Sequence, residues 1–93
     1  PQEIENLLVT HPKVFDAAVF GVPDDDLGER AIAVIQPVSA DILEEELADE
    51  LSTFARAKLG SIKTPKEFHF SPQLPREATG KLMKRLLVTR YGT

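Results

Sequence analysis

Apolar residues recur along this chain at two different periods, and the switch between them marks out the elements. Over residues 2–10, Ile4, Leu7 and Leu8 share one face of a 3.6-residue period, with Glu3, Glu5 and Asn6 elsewhere, which predicts a short amphipathic helix. Pro1 suits its first turn, and Pro12 stops it near Thr10 or His11. Residues 14–22 and 31–38 are nearly continuous apolar runs and predict strands covered on at least part of both faces. Between them, Pro23, the run Asp24-Asp25-Asp26 and Gly28 are loop chemistry, so the pair predicts an antiparallel hairpin with an acidic loop over 23–30. Residues 42–59 give the clearest helix, with Leu43, Leu47, Leu51, Phe54, Ala55 and Leu59 on one face. Asp41 and Glu44 have capping-box spacing, acids crowd its first half, Arg56 and Lys58 lie near its end, and Gly60 is a natural stop. Residues 66–70 alternate as a short third strand, Phe68 and Phe70 facing one way and His69 the other. Residues 71–81 are a loop, and residues 82–91 a last helix in which Leu82 and Leu86, and Met83, Leu87 and Tyr91, repeat at i, i+4.

The resulting order, α-β-β-α-β-loop-α, predicts a small α+β domain spanning 1–93. Its sheet is three-stranded and mainly antiparallel, with room for an extra short hairpin, and packs against about three helices. At 93 residues, 42% apolar and 28% charged, the chain can bury one modest core. No apolar run approaches the ~18 residues of a membrane span. With no cysteine, disulfide scaffolds, thiol nucleophiles and cysteine-based metal sites are excluded. His11, beside Pro12, reads as a helix-end residue and His69 as a strand filler; they share no ligand spacing, and no metal site is expected. The chain opens at Pro1, without a methionine or an apolar leader, and is already patterned by residue 4, so it is expected to be a piece of something longer.

Charge is divided unevenly. Residues 1–50 hold 13 Asp/Glu against two Lys/Arg, and residues 51–93 hold two against nine. The acidic half argues against nucleic-acid binding by bulk attraction. The basic half suits an anion such as a phosphate or carboxylate, unless the two halves simply attract each other across the fold.

The chemistry gathers in Pro75-Arg76-Glu77-Ala78-Thr79-Gly80-Lys81-Leu82-Met83-Lys84-Arg85. Gly80 permits positive φ and a sharp turn, placing Lys81 at the mouth of a helix on a segment with few packing anchors. Lys84 and Arg85 add positive charge nearby. Gly80-Lys81 is not a Walker A loop, because Pro75 stands where that motif needs its first glycine and Leu82 where it needs Ser or Thr. On chemistry alone, the segment is either an exposed basic helix start or a lysine carried to an anion on a mobile arm.

This segment resembles the closing motif of the acyl-adenylate-forming enzymes, Pro-Arg-x-x-x-Gly-Lys-(aliphatic)-x-(basic)-Arg. Four more segments resemble that family in order: Pro1-Gln2-Glu3-Ile4-Glu5; His11-Pro12-x-Val14 with Asp16-Ala17-Ala18-Val19; Gly21-Val22-Pro23-Asp24 with Gly28-Glu29; and Ile62-Lys63-Thr64-Pro65-Lys66. The resemblance covers essentially the whole chain. It implies the small C-terminal lid subdomain of an AMP-forming acyl-CoA synthetase, a ligase of fatty-acid-type metabolism, without the large N-terminal domain that binds ATP, Mg2+ and the carboxylic acid. Such enzymes form acyl-AMP and pyrophosphate and then transfer the acyl group to a thiol, with the lid turning between the two steps. The resemblance makes Lys81 the catalytic lysine of the first step, on a loop set by Pro75, Thr79 and Gly80. It makes Lys66 the best contact for CoA phosphates and Lys63 a weaker one. Thr64 stands where some CoA ligases have arginine, and Leu27 where some have an adenine-stacking aromatic. The implied partners are the N-terminal domain, ATP, CoA and a carboxylic acid, and the implied location is cytoplasmic or peripheral at the inner membrane face. Two other readings stay open. One is the lid of an adenylation domain that loads a carrier-protein thiol, and the other a non-catalytic module binding an anion through its basic half.

Overall fold

The structure, a computed structural model, describes residues 2–92; the reading of Pro1 as a first-turn proline lies outside them. The elements run α1 (Gln2–Leu8), β1 (Val14–Asp24), β2 (Gly28–Pro37), α2 (Glu44–Leu59), β3 (Glu67–Phe70) and α3 (Lys84–Tyr91). The strands form one sheet in the order β1-β2-β3. The long β1–β2 pairing is antiparallel and the short β2–β3 pairing parallel, so the sheet is mixed but mostly antiparallel. Two parallel neighbours need a crossover, and α2 supplies it.

Both faces of the hairpin are covered, as its unbroken apolar runs predict. Ala17, Val19, Ala33 and Ile35 join Ile4 and Leu8 of α1 and Leu47, Leu51 and Ala55 of α2 in one cluster. The alternate residues Ala18, Phe20, Val22, Ile32 and Val34 pack beneath Leu74 and Leu87, with Leu82 and Tyr91 beside them. Phe68 and Phe70 pack against the first cluster, while the His69 ring lies 5.0 Å from that of Tyr91. His11 closes the turn after α1. Its Nδ1 accepts the Lys13 amide at 3.1 Å, so Nε2 carries the hydrogen that meets Glu50 at 2.8 Å, and Phe54 packs edge-on at 5.2 Å.

The element ends differ from the sequence reading in ways with local causes. The hairpin reaches beyond 22 and begins before 31, leaving only Asp25–Leu27 as its turn. Asp24 Oδ1 accepts the amides of Asp26 and Leu27, each at 2.9 Å, and Gly28 takes φ +78°, so a three-residue turn closes where a longer acidic loop is predicted. Pro23 is tolerated because β1 is an edge strand and odd-numbered nitrogens point away from β2. The capping box at Asp41 does not form. Helix α2 starts at Glu44 after Leu43, with no side-chain cap, and the Ser39 hydroxyl instead accepts the Asp41 amide at 3.1 Å. Leu43 therefore stays exposed outside the helix. Helix α3 starts at Lys84 rather than 82, since Leu82 bridges to Arg76 and the Met83 amide is donated to the Pro75 carbonyl at 2.9 Å.

Three carboxyls lie below their ordinary range. His69 and then Arg30 hold Glu67 down by hydrogen bonding, a hydrogen bond from Lys13 does the same for Glu50, and the Leu27 and Asp26 amides for Asp24. A depressed folded-state value contributes stability that is full above the unfolded value and is lost as pH falls through the folded one. The melting temperature of the chain should therefore drop as pH falls below about 4.5, the ordinary glutamate value. Glu67→Gln should lower it at pH 7 and flatten the decline, as read by circular-dichroism melts between pH 7 and 3.

Candidate functional site

The segment after β3 is a closed turn rather than an open arm. Ser71 donates its amide to the Ile35 carbonyl at 2.9 Å, Leu74 buries its side chain beneath the sheet, and its amide reaches Gln36 Oε1 at 3.2 Å. The chain then doubles back on itself. Arg76 and Leu82 form an antiparallel bridge, Glu77 donates its amide to the Lys81 carbonyl at 2.8 Å, and the Gly80 amide goes to the Glu77 carbonyl at 2.8 Å. This is a tight turn closed by one bridge rather than a further pair of strands. Gly80 turns it with φ +90°. Pro75 stands at its base, Thr79 is exposed at its tip, and Lys81 is exposed on its returning arm rather than directly at a helix mouth.

Two cation–carboxylate contacts hold this turn against the sheet. Arg76 grips Asp16 in a fork, Nε to Oδ2 at 2.8 Å and Nη2 to Oδ1 at 2.8 Å, while its Nη1 donates to the Gly80 carbonyl at 2.6 Å. Asp16 Oδ1 also accepts the Ala17 amide at 2.9 Å. The Asp16 hydrogen bonds raise the already high pKa of Arg76 further, with a contribution from the charge of Glu5. On the other side of Lys81, Lys84 Nζ lies 2.9 Å from Glu5 Oε2, and that same oxygen accepts the Val19 amide at 2.7 Å. Glu5 is only 7% exposed, and its partners are what make a buried carboxylate tolerable. Lys84 is thus neutralised rather than adding free charge beside Lys81. Among the described residues, no carboxylate lies within ion-pair distance of the Lys81 ammonium.

Leu27, Thr64 and Lys66 come together with Glu29, Arg30, Ala31 and Ile62 around a cleft of about 280 Å³ toward the hairpin-turn end of the sheet. Leu27 is 60% exposed and Ile62 94%, so two apolar side chains stand free at its rim. Lys66 is exposed. Thr64 is buried and donates its hydroxyl to the Gly60 carbonyl at 2.8 Å. Arg30 is held by Glu67 at 2.8 Å and by the Pro23 carbonyl at 3.0 Å. Lys63 is not part of this cleft; it pairs with Glu3 of α1 at 3.1 Å. Asp16 anchors the Lys81 turn near the start of β1, and Gly21, further along the strand, pairs with Ala31 in the cleft wall, so about 17 Å of strand separates the two anchor points. Sequence reasoning assigned no role to Glu5, Asp16, Arg30 or Ile62. Asp16 had a signal: a lone acid inside an apolar strand must find a partner. Ile62 gave none, because isolated exposed apolar residues are common.

The charge division is partly consumed inside the fold. Lys63–Glu3, Lys84–Glu5 and Arg76–Asp16 each join the basic half to the acidic one. Among the described residues, no group of three or more His, Cys, Asp or Glu is placed to hold a metal ion, and no helix is long and apolar enough to cross a membrane.

The model of the AMP-binding enzyme C-terminal domain matches residues 3–81. The chain is 41% identical over 85 residues to the acetyl-coenzyme A synthetase of Parvibaculum lavamentivorans, an alignment covering 91% of this chain and 13% of that protein. It superposes on an acyl-CoA synthetase of Brucella canis with a TM-score of 0.87 at 33% identity, covering 94% of this chain and 16% of the other. The amide bond synthetase McbA of Marinactinospora thermotolerans gives 0.85 at 31% identity, covering 97% and 18%. The chain thus spans less than a fifth of the length of each.

The Lys81 turn depends on Gly80 through its backbone alone, since a Cβ there would meet nothing within 4 Å. Gly80→Ala should therefore destabilise the chain by about 1–2 kcal/mol, the cost of positive φ for an L-residue. Thr79→Ala, at the exposed tip, should stay within about 0.5 kcal/mol. Urea unfolding of the two variants against the parent chain checks both values.

Proposed function

The chain belongs to the AMP-binding enzyme C-terminal domain family, and from that membership we propose that it is the mobile lid of an ATP-dependent, AMP-forming acyl-CoA synthetase. In the first half-reaction a carboxylate oxygen attacks the α-phosphorus of ATP. The bond from that phosphorus to the bridging oxygen of the β-phosphate breaks, and pyrophosphate leaves with the electron pair. Two anions must approach each other, and charge shifts onto the phosphate oxygens and the leaving group. An ammonium fixed beside that centre gains more from the transition state than from the separated reactants. Lys81 suits the task because it is exposed and, among the described residues, has no carboxylate at ion-pair distance. An ion pair would have to be broken before it could serve.

In the second half-reaction the thiol of CoA attacks the acyl carbon, loses its proton, and AMP departs with the electrons of the acyl–oxygen bond. The cleft toward the hairpin-turn end of the sheet offers a cation, Lys66, for phosphate, and apolar surfaces, Leu27 and Ile62, for a base. Lys63, paired with Glu3, is the weaker candidate, and Thr64 contributes shape rather than a free hydroxyl. ATP, Mg2+ and the carboxylic acid would be held by the large N-terminal domain. The ion, where bound, would offset phosphate charge, and no cluster of carboxylates in the described residues is built to take it.

The observation that carries this reading is the separation itself. A lysine on an anchored turn and a cleft of about 280 Å³ lie at separate places along one hairpin. A domain that brings each of them to one reaction centre in successive steps would turn between those steps. The name acetyl-coenzyme A synthetase on the curated relative supports free CoA over a carrier-protein thiol as acceptor. A cytoplasmic site of action fits this reading.

In the full-length enzyme carrying this chain, Lys81→Ala should slow acid-dependent ATP–pyrophosphate exchange by about 10²–10³-fold. Thioester formation from pre-made acyl-AMP and CoA should stay within a few-fold of the parent. Unchanged exchange would contradict the reading, and a steep salt dependence spread over several lysines would favour the anion-binding module instead.

A further inference from the structure

Among the described residues Lys81 makes no anchoring side-chain ion pair, yet the turn that bears it is fixed on both sides. The peptide carbonyl just before it, that of Gly80, is held by Arg76 Nη1 at 2.6 Å. The remaining faces of that guanidinium are locked on Asp16 by two bonds of 2.8 Å. Asp16 is in turn fixed by the Ala17 amide. It follows a register shift in β1, between Val14 and Asp16, that inserts Phe15 and leaves that ring 68% exposed. Because of this bulge, Asp16 and every later β1 residue change face relative to Val14, and Asp16 lies on the side where the Lys81 turn crosses the sheet. A continuous chain of bonds thus runs from the edge of a long strand to the backbone atom adjoining the lysine. Three of the guanidinium's nitrogens are engaged along it, a pattern that planar arginine supports and an ammonium does not.

We propose that Asp16 is a positioning residue for adenylation, acting through Arg76 and the Gly80 carbonyl to hold Lys81 at the reacting phosphate. The proposal rests on the reading of Lys81 given above. A displaced ammonium loses transition-state stabilisation steeply, and misplacement by about 1 Å can cost 10²-fold. Removing the Asp16 charge frees Arg76 from the strand and lets the Gly80 peptide rotate, while the groups that would contact CoA line a separate cleft that begins about 17 Å away along β1. Asp16 therefore acts on one half-reaction only. It acts on kcat rather than on substrate binding, because the lost contact matters in the transition state. The Glu5–Lys84 contact flanks the lysine on the other side, but Glu5 is buried and its removal would disturb the fold. Asp16 and Arg76, with side chains 17% and 39% exposed, can be changed more safely.

The test uses the full-length enzyme carrying this chain, with Lys81→Ala as the reference variant. Asp16→Asn keeps the size of the side chain and an acceptor for the Ala17 amide. It should lower kcat for pyrophosphate exchange by about 10–100-fold, with KM for ATP and for the acid within about threefold. Thioester formation from pre-made acyl-AMP should stay within about twofold. Arg76→Lys, which keeps the charge but not the fork, should fall between the parent and Asp16→Asn. Arg76→Gln carries the same test if Asp16→Asn fails to accumulate as folded protein. Equal loss in both half-reactions, a rise in KM alone, or parent-like exchange in Asp16→Asn where Lys81→Ala is crippled would each overturn the proposal. Intact exchange in Lys81→Ala would instead overturn the underlying reading, and the positioning role with it.

Discussion

The outer edge of β1 is where this domain is tied together. An edge strand presents amides with no strand partner, and here two of them, Ala17 and Val19, are taken by the carboxylates of Asp16 and Glu5. Each carboxylate then binds a cation from the C-terminal third of the chain, Arg76 or Lys84. Covering the edge and fastening the Lys81 turn are therefore a single arrangement. Glu5 is the more demanding member. Buried under α1, its carboxylate is tolerated through the Val19 amide and the Lys84 ammonium, and breaking such a pair from one side typically costs about 3–5 kcal/mol. Through it α1, β1 and the start of α3 are joined by one carboxylate.

Much of the architecture was legible in the chain, and the reasons are local. Strands β1 and β2 announce themselves because both of their faces are buried, which leaves no polar alternation, and α2 because Leu47, Leu51 and Ala55 repeat at helical spacing. What escaped notice depended on single side chains choosing among local partners. Asp24 closes the hairpin by collecting two amides, which shortens a loop that looked long and acidic. Ser39 takes the Asp41 amide and turns the chain, so the predicted cap lies outside the helix it was meant to start. Lys81 and Gly80 stood out through their motif, but the residues that hold them did not. Asp16 and Arg76 are 60 positions apart, and no periodicity links them. Lys63 and Lys66 looked equivalent in sequence, and the fold separates them because only Lys63 can reach Glu3 on α1.

The placement of charge explains how a chain so divided between acidic and basic halves can fold on itself and still leave an exposed lysine on the turn. The pairs that cross between the halves take up Lys63, Arg76 and Lys84, while Lys81 is among the basic side chains with no carboxylate at ion-pair distance among the described residues. The cleft further along the hairpin combines the exposed Lys66 with the apolar rim of Leu27 and Ile62. A stiff two-stranded ribbon covered on both faces keeps the turn and the cleft at a fixed separation. A rigid spacer of that kind suits a domain whose two sites would serve different steps, since rotation of the whole body then exchanges one site for the other without internal rearrangement.

The dependence on the β1 edge can be read directly by amide hydrogen exchange on the 93-residue chain. Ala17 and Val19 lie on the open side of an edge strand, where amides without partners exchange freely. The account predicts that both are protected at neutral pH. It also predicts that Asp16→Ala strips protection from Ala17 and from the Gly80 amide in the turn, while Val22 and Val34 in the covered hairpin keep theirs. Rapid, unprotected exchange at Ala17 and Val19 in the parent chain, or a Gly80 amide indifferent to Asp16→Ala, would contradict it.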